Sequence, residues 1–482
     1  MARYPLPAIP SRLIEFEVAD DLRRGAPVAR VVRAAGEEVE LGGVRHAGKA
    51  GEVRDVAADD VRWLVGVGQG TPADWRSAGA ALVRAAAEGD RARTVQVDLG
   101  DAEADGDQLA ALAAGVLLGG YRFKVSADGD KAGVRTVRVL APSGTAVPDL
   151  TRVRELAGAA ALARDLSNAP SNIKNPAWLA ETAERVVADV PGLRATIRDE
   201  KWLAAQGFGG VLAVGGGSAS PPRLIELSYR PRGASRHLLL VGKGITFDTG
   251  GLSIKPAEGM HLMRTDMAGG AAVIAATRAI AALRLGLRVS ALVPAAENHV
   301  SGGSYRPGDV VRHYGGKTTE VSNTDAEGRM VLADALAYGI RRFRPDAVVD
   351  VATLTGAMKV ALGLRTGALF ASDDALAARV LAAGQAAGES WWRMPLLDDH
   401  VDAVRGELAD VRQTPTGPGG ITAALFLREF VDGLPWAHLD IAGPARADKS
   451  YAEVVPGATG FAARTLVELA ASYAGQPPEA GE

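Results

Sequence analysis

No cysteine occurs among the 482 residues. That excludes disulfides, thiolate zinc sites and cysteine nucleophiles, so any metal held here takes oxygen and nitrogen ligands. It also suits a reducing compartment. Aromatic residues are scarce at 5%, while glycine is abundant at 58 residues, a balance that suggests tight helix packing and many turns. Charge of one sign is not in excess: the net is −3, with 19 Lys+Arg against 22 Asp+Glu over residues 1–150 and 35 against 35 beyond. Neither part has the basic surplus of a nucleic-acid footprint, so nucleic acid is not an expected partner. The longest apolar run, LAALAAGVLLGGY at 109–121, is too short to span a bilayer. The N-terminal MARYPLPAIPSRLIEFEVADD lacks the uninterrupted apolar core of a signal peptide. A soluble, cytoplasmic protein without membrane contact is expected.

What remains is ordinary globular material, 47% hydrophobic and 23% charged, in a chain long enough for two or three domains. Two polar, proline-punctuated stretches read as joints: LAPSGTAVPDL (140–150) and SNAPSNIKNPAW (167–178). TRVRELAGAAALARDL between them reads as a connecting helix. Before the first joint, strand-like RWLVGVG, RTVQVDL and GVRTVRVLAP alternate with helical ADWRSAGAALVRAAAEG and GDQLAALAAGVLLGGYRF. Residues 1–150 are therefore predicted to be a small α/β domain. Residues 151–482, with the connecting helix at their start, are predicted to form a larger α/β domain. There RHLLLVGKG (236–244), LRVSALVPAAEN (287–298), DAVVDVATLTG (346–356) and WAHLDIAG (436–443) read as strands. AGGAAVIAATRAIAALRL (268–285), the segment after Asp325, and GGITAALFLREFV (419–431) read as helices. Near-continuous apolar strands alternating with helices indicate a sheet covered on both faces. Sites in such folds gather where strands end and helices begin.

Charges cluster at those junctions. NTDAEGRMVLADAL (323–336) places Asp325, Glu327 and Arg329 at the mouth of a helix whose apolar stripe runs Leu332, Leu336, Ile340 and Phe343. Thr324 and Glu327, three apart, fit a capping box, and acids suit a helix N-terminus. A cap explains neither Arg329 nor the second acid. Upstream, Lys243 ends a strand, Asp248 and Lys255 follow in GKGITFDTGGLSIKP, and Asp266 opens DMAGGAAV. Carboxylates brought together raise one another's pKa unless a cation lies among them. One divalent metal or a pair would supply it, and this donor set suits Zn²⁺ or Mn²⁺, Mg²⁺ less clearly. Two metals on shared carboxylates can clamp a water against a scissile carbonyl, with Lys255 and Arg329 steadying the oxyanion or orienting the nucleophile. Scattered surface ion pairs are the alternative that spacing leaves open. A phosphate site is disfavoured: GGKT at 315–318 ends like a P-loop, but Val311 stands where its first glycine belongs.

The motifs carry a resemblance. GKGITFDTGGLSIKP, MRTDMAGGAAV, VPAAENHVSGGSYRPGDVV, NTDAEGRMVLADAL, DVATLTGA, GPGGITAALFL and WAHLDIAG resemble, in order, segments of the leucyl aminopeptidase family, the cytosol aminopeptidases. The likeness covers roughly residues 160–470. The first 150 residues resemble the family only in size and α/β pattern, which implies a macro-like domain. The resemblance implies a metallo-exopeptidase that removes N-terminal, preferably Leu-like, residues from peptides and uses two divalent ions, Mn²⁺ or Zn²⁺. Lys243, Asp248, Asp266 and Glu327 would hold the tighter metal. Asp248, Asp325 and Glu327 would reach the more exchangeable one, with the Asp325 carbonyl a further candidate. Lys255 would stabilise the tetrahedral intermediate, and Arg329 would hold a bicarbonate that serves as general base. Met263, Thr353, Gly356, Ala442 and Ala445 would line the pocket for the first residue, and Leu354 would offer backbone contacts. His261, His299 and His313 have no family role. HVSGGS and the residues after DIAG depart from the family pattern and bear on substrate preference. The family forms homohexamers, and some members also bind DNA, an accessory role that the balanced charge of residues 1–150 argues against.

Overall fold

The computed structural model describes residues 6–34, 38–58, 61–88, 92–100, 102–126, 133–141 and 147–474. The chain divides into two compact units, one of residues 1–161 with 447–456, the other of 162–446 with 457–482. The division falls inside the helix Leu150–Asn168. Positions 142–146 of the first expected joint lie outside the described residues.

The smaller unit carries a six-stranded sheet in the order Glu15–Ala19, Thr136–Leu140, Thr94–Asp98, Val28–Val32, Val61–Gly66, Val53–Ala58. All neighbours are parallel except the last pair. The helices Pro72–Glu88 and Gly106–Gly119 pack together, and Gly79 makes this possible: a Cβ there would come within 2.4 Å of the Leu112 carbonyl. Trp75, Leu82, Leu109 and Val116 fill the core above the sheet.

The larger unit is built on a nine-stranded sheet whose middle is parallel. Trp436–Asp440, Ala347–Ala352, His237–Gly242 and Arg288–Asn298 lie side by side in that order, each pair parallel. Gly244–Asp248 continues the chain of His237–Gly242 and pairs with the far end of Arg288–Asn298. Every residue of His237–Gly242 and of Ala347–Ala352 is buried. That is expected of parallel strands covered on both faces. Leu239 and Val241 pack with Leu332 and Leu336 of the helix Glu327–Phe343, whereas Leu238 and Leu240 do not join that cluster. Since successive side chains point to opposite faces, the latter two meet the helix Ala268–Ala282, which also lies on these strands. The contact is close: a Cβ on Gly270 would stand 3.0 Å from the Lys243 carbonyl. Antiparallel strands Arg223–Tyr229 and Leu193–Arg198 extend one side, and Thr366–Ala371 with Ser390–Arg393 the other. The α/β alternation predicted from sequence is thus present in both units. Among the described residues, no helix is long and apolar enough to cross a membrane.

Candidate metal centre

The carboxyl ends of the central strands deliver the site. Lys243 follows His237–Gly242, Asp248 ends Gly244–Asp248, Asn298 ends Arg288–Asn298, Thr353 follows Ala347–Ala352 and Asp440 ends Trp436–Asp440. Facing them, Asp266 stands before the helix Ala268–Ala282 and Glu327 opens the helix Glu327–Phe343.

Lys243 is the hub. Its buried Nζ donates to Asp266 Oδ1 and to the Thr353 carbonyl, both at 2.9 Å, and lies 2.8 Å from Glu327 Oε1. Gly328 gives it room: a Cβ there would sit 2.7 Å from Lys243 Cε. Lys255, more open to solvent, lies 2.8 Å from Asp248 Oδ2 and 2.5 Å from Asp325 Oδ1. Asp248 Oδ1 accepts from the Gly250 backbone and from Asn298 Nδ2, each at 2.8 Å. The Thr353 hydroxyl donates to Asp266 Oδ1 at 2.7 Å.

Electrostatics follow from burial and crowding. Burial, then the nearby Asp248 charge, pushes Glu327 up to about 8 despite Lys243. Burial likewise pushes Asp266 up to about 6 against the pull of Lys243. Asp325 is also raised, first by burial. Burial alone would depress both lysines, but Asp266, Glu327 and Asp248 around Lys243, and Asp248 beside Lys255, outweigh it and raise both.

The arrangement fits a divalent cation. Asp248, Asp325 and Glu327 each offer an oxygen within 4.8 Å of the others. Glu327 Oε2 is buried and accepts no hydrogen bond, and Asp266 Oδ2 and Asp325 Oδ1 meet only lysine ammonium groups. Buried carboxylate oxygens left in this way ordinarily have a partner. A hard cation satisfies them and lowers the repulsion that raises their pKa values.

Arg329, two residues beyond Glu327, is held by a hydrogen bond from Nη1 to the Gln413 carbonyl and lies 5.9 Å over the Phe426 ring. Its Nε is buried without a partner, and burial lowers its pKa to about 10. A guanidinium with a spare donor at the edge of an acidic cluster can take a small planar anion.

Hydrogen bonds connect some of the residues assigned to the substrate pocket. Asp440 joins two of their loops: Oδ1 accepts from the Leu354 and Ala442 backbones, both at 3.1 Å, and Oδ2 from the Thr355 backbone at 3.0 Å and its hydroxyl at 2.6 Å. Met263 lies in the 3-10 turn Met260–Thr265, where its carbonyl accepts from the Asp266 backbone. Gly356 is the exposed first residue of the helix Gly356–Leu362, and Ala445 is buried.

One sequence expectation fails. Thr324 and Glu327 form no capping box: the helix begins at Glu327, after Ala326, with no side-chain cap. The Thr324 hydroxyl instead donates to the Gly250 carbonyl at 2.7 Å and accepts from the Ser253 backbone at 2.8 Å, while Glu327 turns to Lys243. Both partners of the box are taken by the site. GGKT lies in the connection between the antiparallel strands Val310–Arg312 and Thr318–Glu320, where Lys317 pairs with Glu429. His261 and His299 are exposed, whereas His313 is buried between Asp334 and Thr319. Asn298, Gln413 and Asp440 received no role from the sequence. Each is a single polar residue within a strand or loop pattern, and only WAHLDIAG and VPAAENHV, as motifs, marked two of them.

The chain matches known proteins over most of its length. Residues 161–467 match the catalytic domain of the cytosol aminopeptidase family and residues 44–126 match its N-terminal domain. A probable cytosol aminopeptidase of Leifsonia xyli subsp. xyli is 47% identical over 386 residues, 77% of this chain and 77% of that protein. One of Roseiflexus castenholzii is 49% identical over 370 residues, 74% of this chain and 75% of that protein. Among solved structures, the bottromycin maturation enzyme BotP in complex with Mn superposes with a TM-score of 0.83 at 43% identity, covering 92% of this chain and 98% of that one. A tomato leucine aminopeptidase variant gives 0.84 at 31% identity, covering 95% and 96%.

Proposed function

The chain belongs to the cytosol aminopeptidase family and is a peptidase, and from that premise we propose a two-metal exopeptidase that removes Leu-like N-terminal residues from peptides. The observation that carries the proposal is the buried, unpartnered Glu327 Oε2 within the Asp248–Asp325–Glu327 group. Lys243, Asp248, Asp266 and Glu327 would hold the tighter cation, and Asp248, Asp325 and Glu327 the more exchangeable one. The complex of BotP with Mn favours Mn²⁺, and Zn²⁺ suits the same donors. Bound there, divalent cations supply a nucleophilic water at neutral pH and polarise the scissile carbonyl.

The chain's own groups do the rest. Water adds to the carbonyl carbon, the C–N bond breaks and a proton passes to the departing amine. Lys255, kept charged by Asp248, opposes the charge that develops on the carbonyl oxygen. Arg329, with a buried Nε free of a partner, would hold a bicarbonate, which would supply general-base chemistry beside the attacking water. Asp440 holds the Leu354 and Ala442 loops against the peptide backbone, while Met263, Thr353, Gly356, Ala442 and Ala445 form the pocket for the first side chain. Residues 1–150 form a macro-like domain and residues 151–482 the catalytic one. The family resemblance supports a cytoplasmic homohexamer.

An exopeptidase of this kind reads the free α-amine, a good neutral ligand whose ordinary pKa is about 7.7–8.0. Leucine amide and its N-acetylated form are compared on the Mn²⁺-loaded protein. Hydrolysis of the free amine alone is the expected result, and equal rates would refute amine recognition.

A further inference from the structure

Lys174 lies in the turn between the helices Leu150–Asn168 and Pro176–Val187, and its side chain is wholly buried. An ammonium has three N–H donors. These reach the Ser167 carbonyl at 2.7 Å, the Arg264 carbonyl, and the Met267 sulfur at 3.6 Å. No carboxylate pairs with it among the described residues, and burial, then the Arg264 charge, takes its pKa well below the usual lysine range. A buried cation without a counter-ion is costly, and an apolar side chain would fill the same space more cheaply. Stability alone therefore does not account for a lysine here.

Its partners suggest what does. Ser167 lies in the last turn of its helix, where carbonyls lack intrahelical donors. Arg264 and Met267 stand on either side of Asp266, two residues before and one after. The Arg264 carbonyl belongs to the Met260–Thr265 turn, which also presents Met263. That turn has no side-chain cap, so the Lys174 amine is a side-chain anchor on it. We propose that Lys174 is a positioning residue that ties this turn to the end of the helix Leu150–Asn168, keeping the Asp266 carboxylate on Lys243 and Met263 at the first-residue pocket. The proposal rests on the two-metal reading above.

Lys174→Met tests it, because methionine keeps the length and removes the amine; thermal melting of the variant is followed alongside to show that it folds. Mn²⁺ affinity and leucine amide kinetics are measured on the full chain. The expected result is a loss of about 10–100-fold in affinity for one metal equivalent, the range typical of outer partners of a ligand, with a matching fall in kcat. In an Asp266→Asn background the same change should add nothing. Parent-like metal affinity and kinetics in a folded Lys174→Met protein would overturn the proposal. Should that variant not fold, Lys174→Gln decides: a weaker metal site supports the role and an unchanged one overturns it. If Asp266→Asn by itself kept both metals and full activity, the two-metal reading would fail instead.

Discussion

At Lys243 a single nitrogen faces Asp266 and Glu327, and two roles compete for it. As an ammonium it is an ion-pair partner, the state its raised pKa favours without a cation. As a neutral amine it is a ligand, which requires a cation's charge to displace its proton. Arginine separates the two, since it keeps the charge and is effectively never deprotonated. Lys243→Arg is expected to fold, to lose one metal equivalent and to lose nearly all activity; two retained metals would make Lys243 an ion-pair residue only. Arg329 is expected to behave differently, because its contacts are to Gln413 and Phe426 and not to the carboxylates. Arg329→Ala should keep both metals and lose about 10²–10³ in rate, as for a single oxyanion-type group. Metal content separates the cases, and release of metal by Arg329→Ala would contradict the division of roles.

Among elements, the strand His237–Gly242 joins the site to the acid stability of the sheet. Burial, then Arg288 and Arg230, lowers His237 to about 4, against an ordinary value of about 6.5. Between those values the unfolded chain binds more protons than the folded one, so stability falls as pH drops from about 6.5 toward 4. In urea titrations, His237→Gln should lose less of its midpoint over that interval than the parent does, and parallel curves would show that His237 is not the titrating group. This strand was legible because an unbroken apolar run admits few other readings. Leu193–Arg198 and Glu15–Ala19 are not legible in the sequence, because their polar and apolar residues are mixed and only pairing with neighbours makes them strands. Val28–Val32, central in its sheet, was hidden by Arg30, which finds Asp98 across the sheet. The charged site residues could be read as a set because like charges at element ends need a reason. Asn298 and Asp440 carry no such signal: their work lies in backbone and amide contacts between segments distant in sequence. The failed capping box belongs here too, since local spacing cannot show that Gly250 and Ser253 will claim Thr324.

For the molecule as a whole, the larger unit gathers buried and part-buried, mutually raised carboxylates at the carboxyl ends of its central strands. Such an arrangement is intelligible as a receptacle for divalent charge. The family match over residues 161–467 points the same way. The most direct measurement is a metal titration of the chelator-stripped full chain, following bound Mn²⁺ per chain and leucine amide hydrolysis together. Two equivalents bound, with activity absent at zero occupancy and restored as they fill, is the result expected. Full hydrolysis by the rigorously metal-free protein would contradict it.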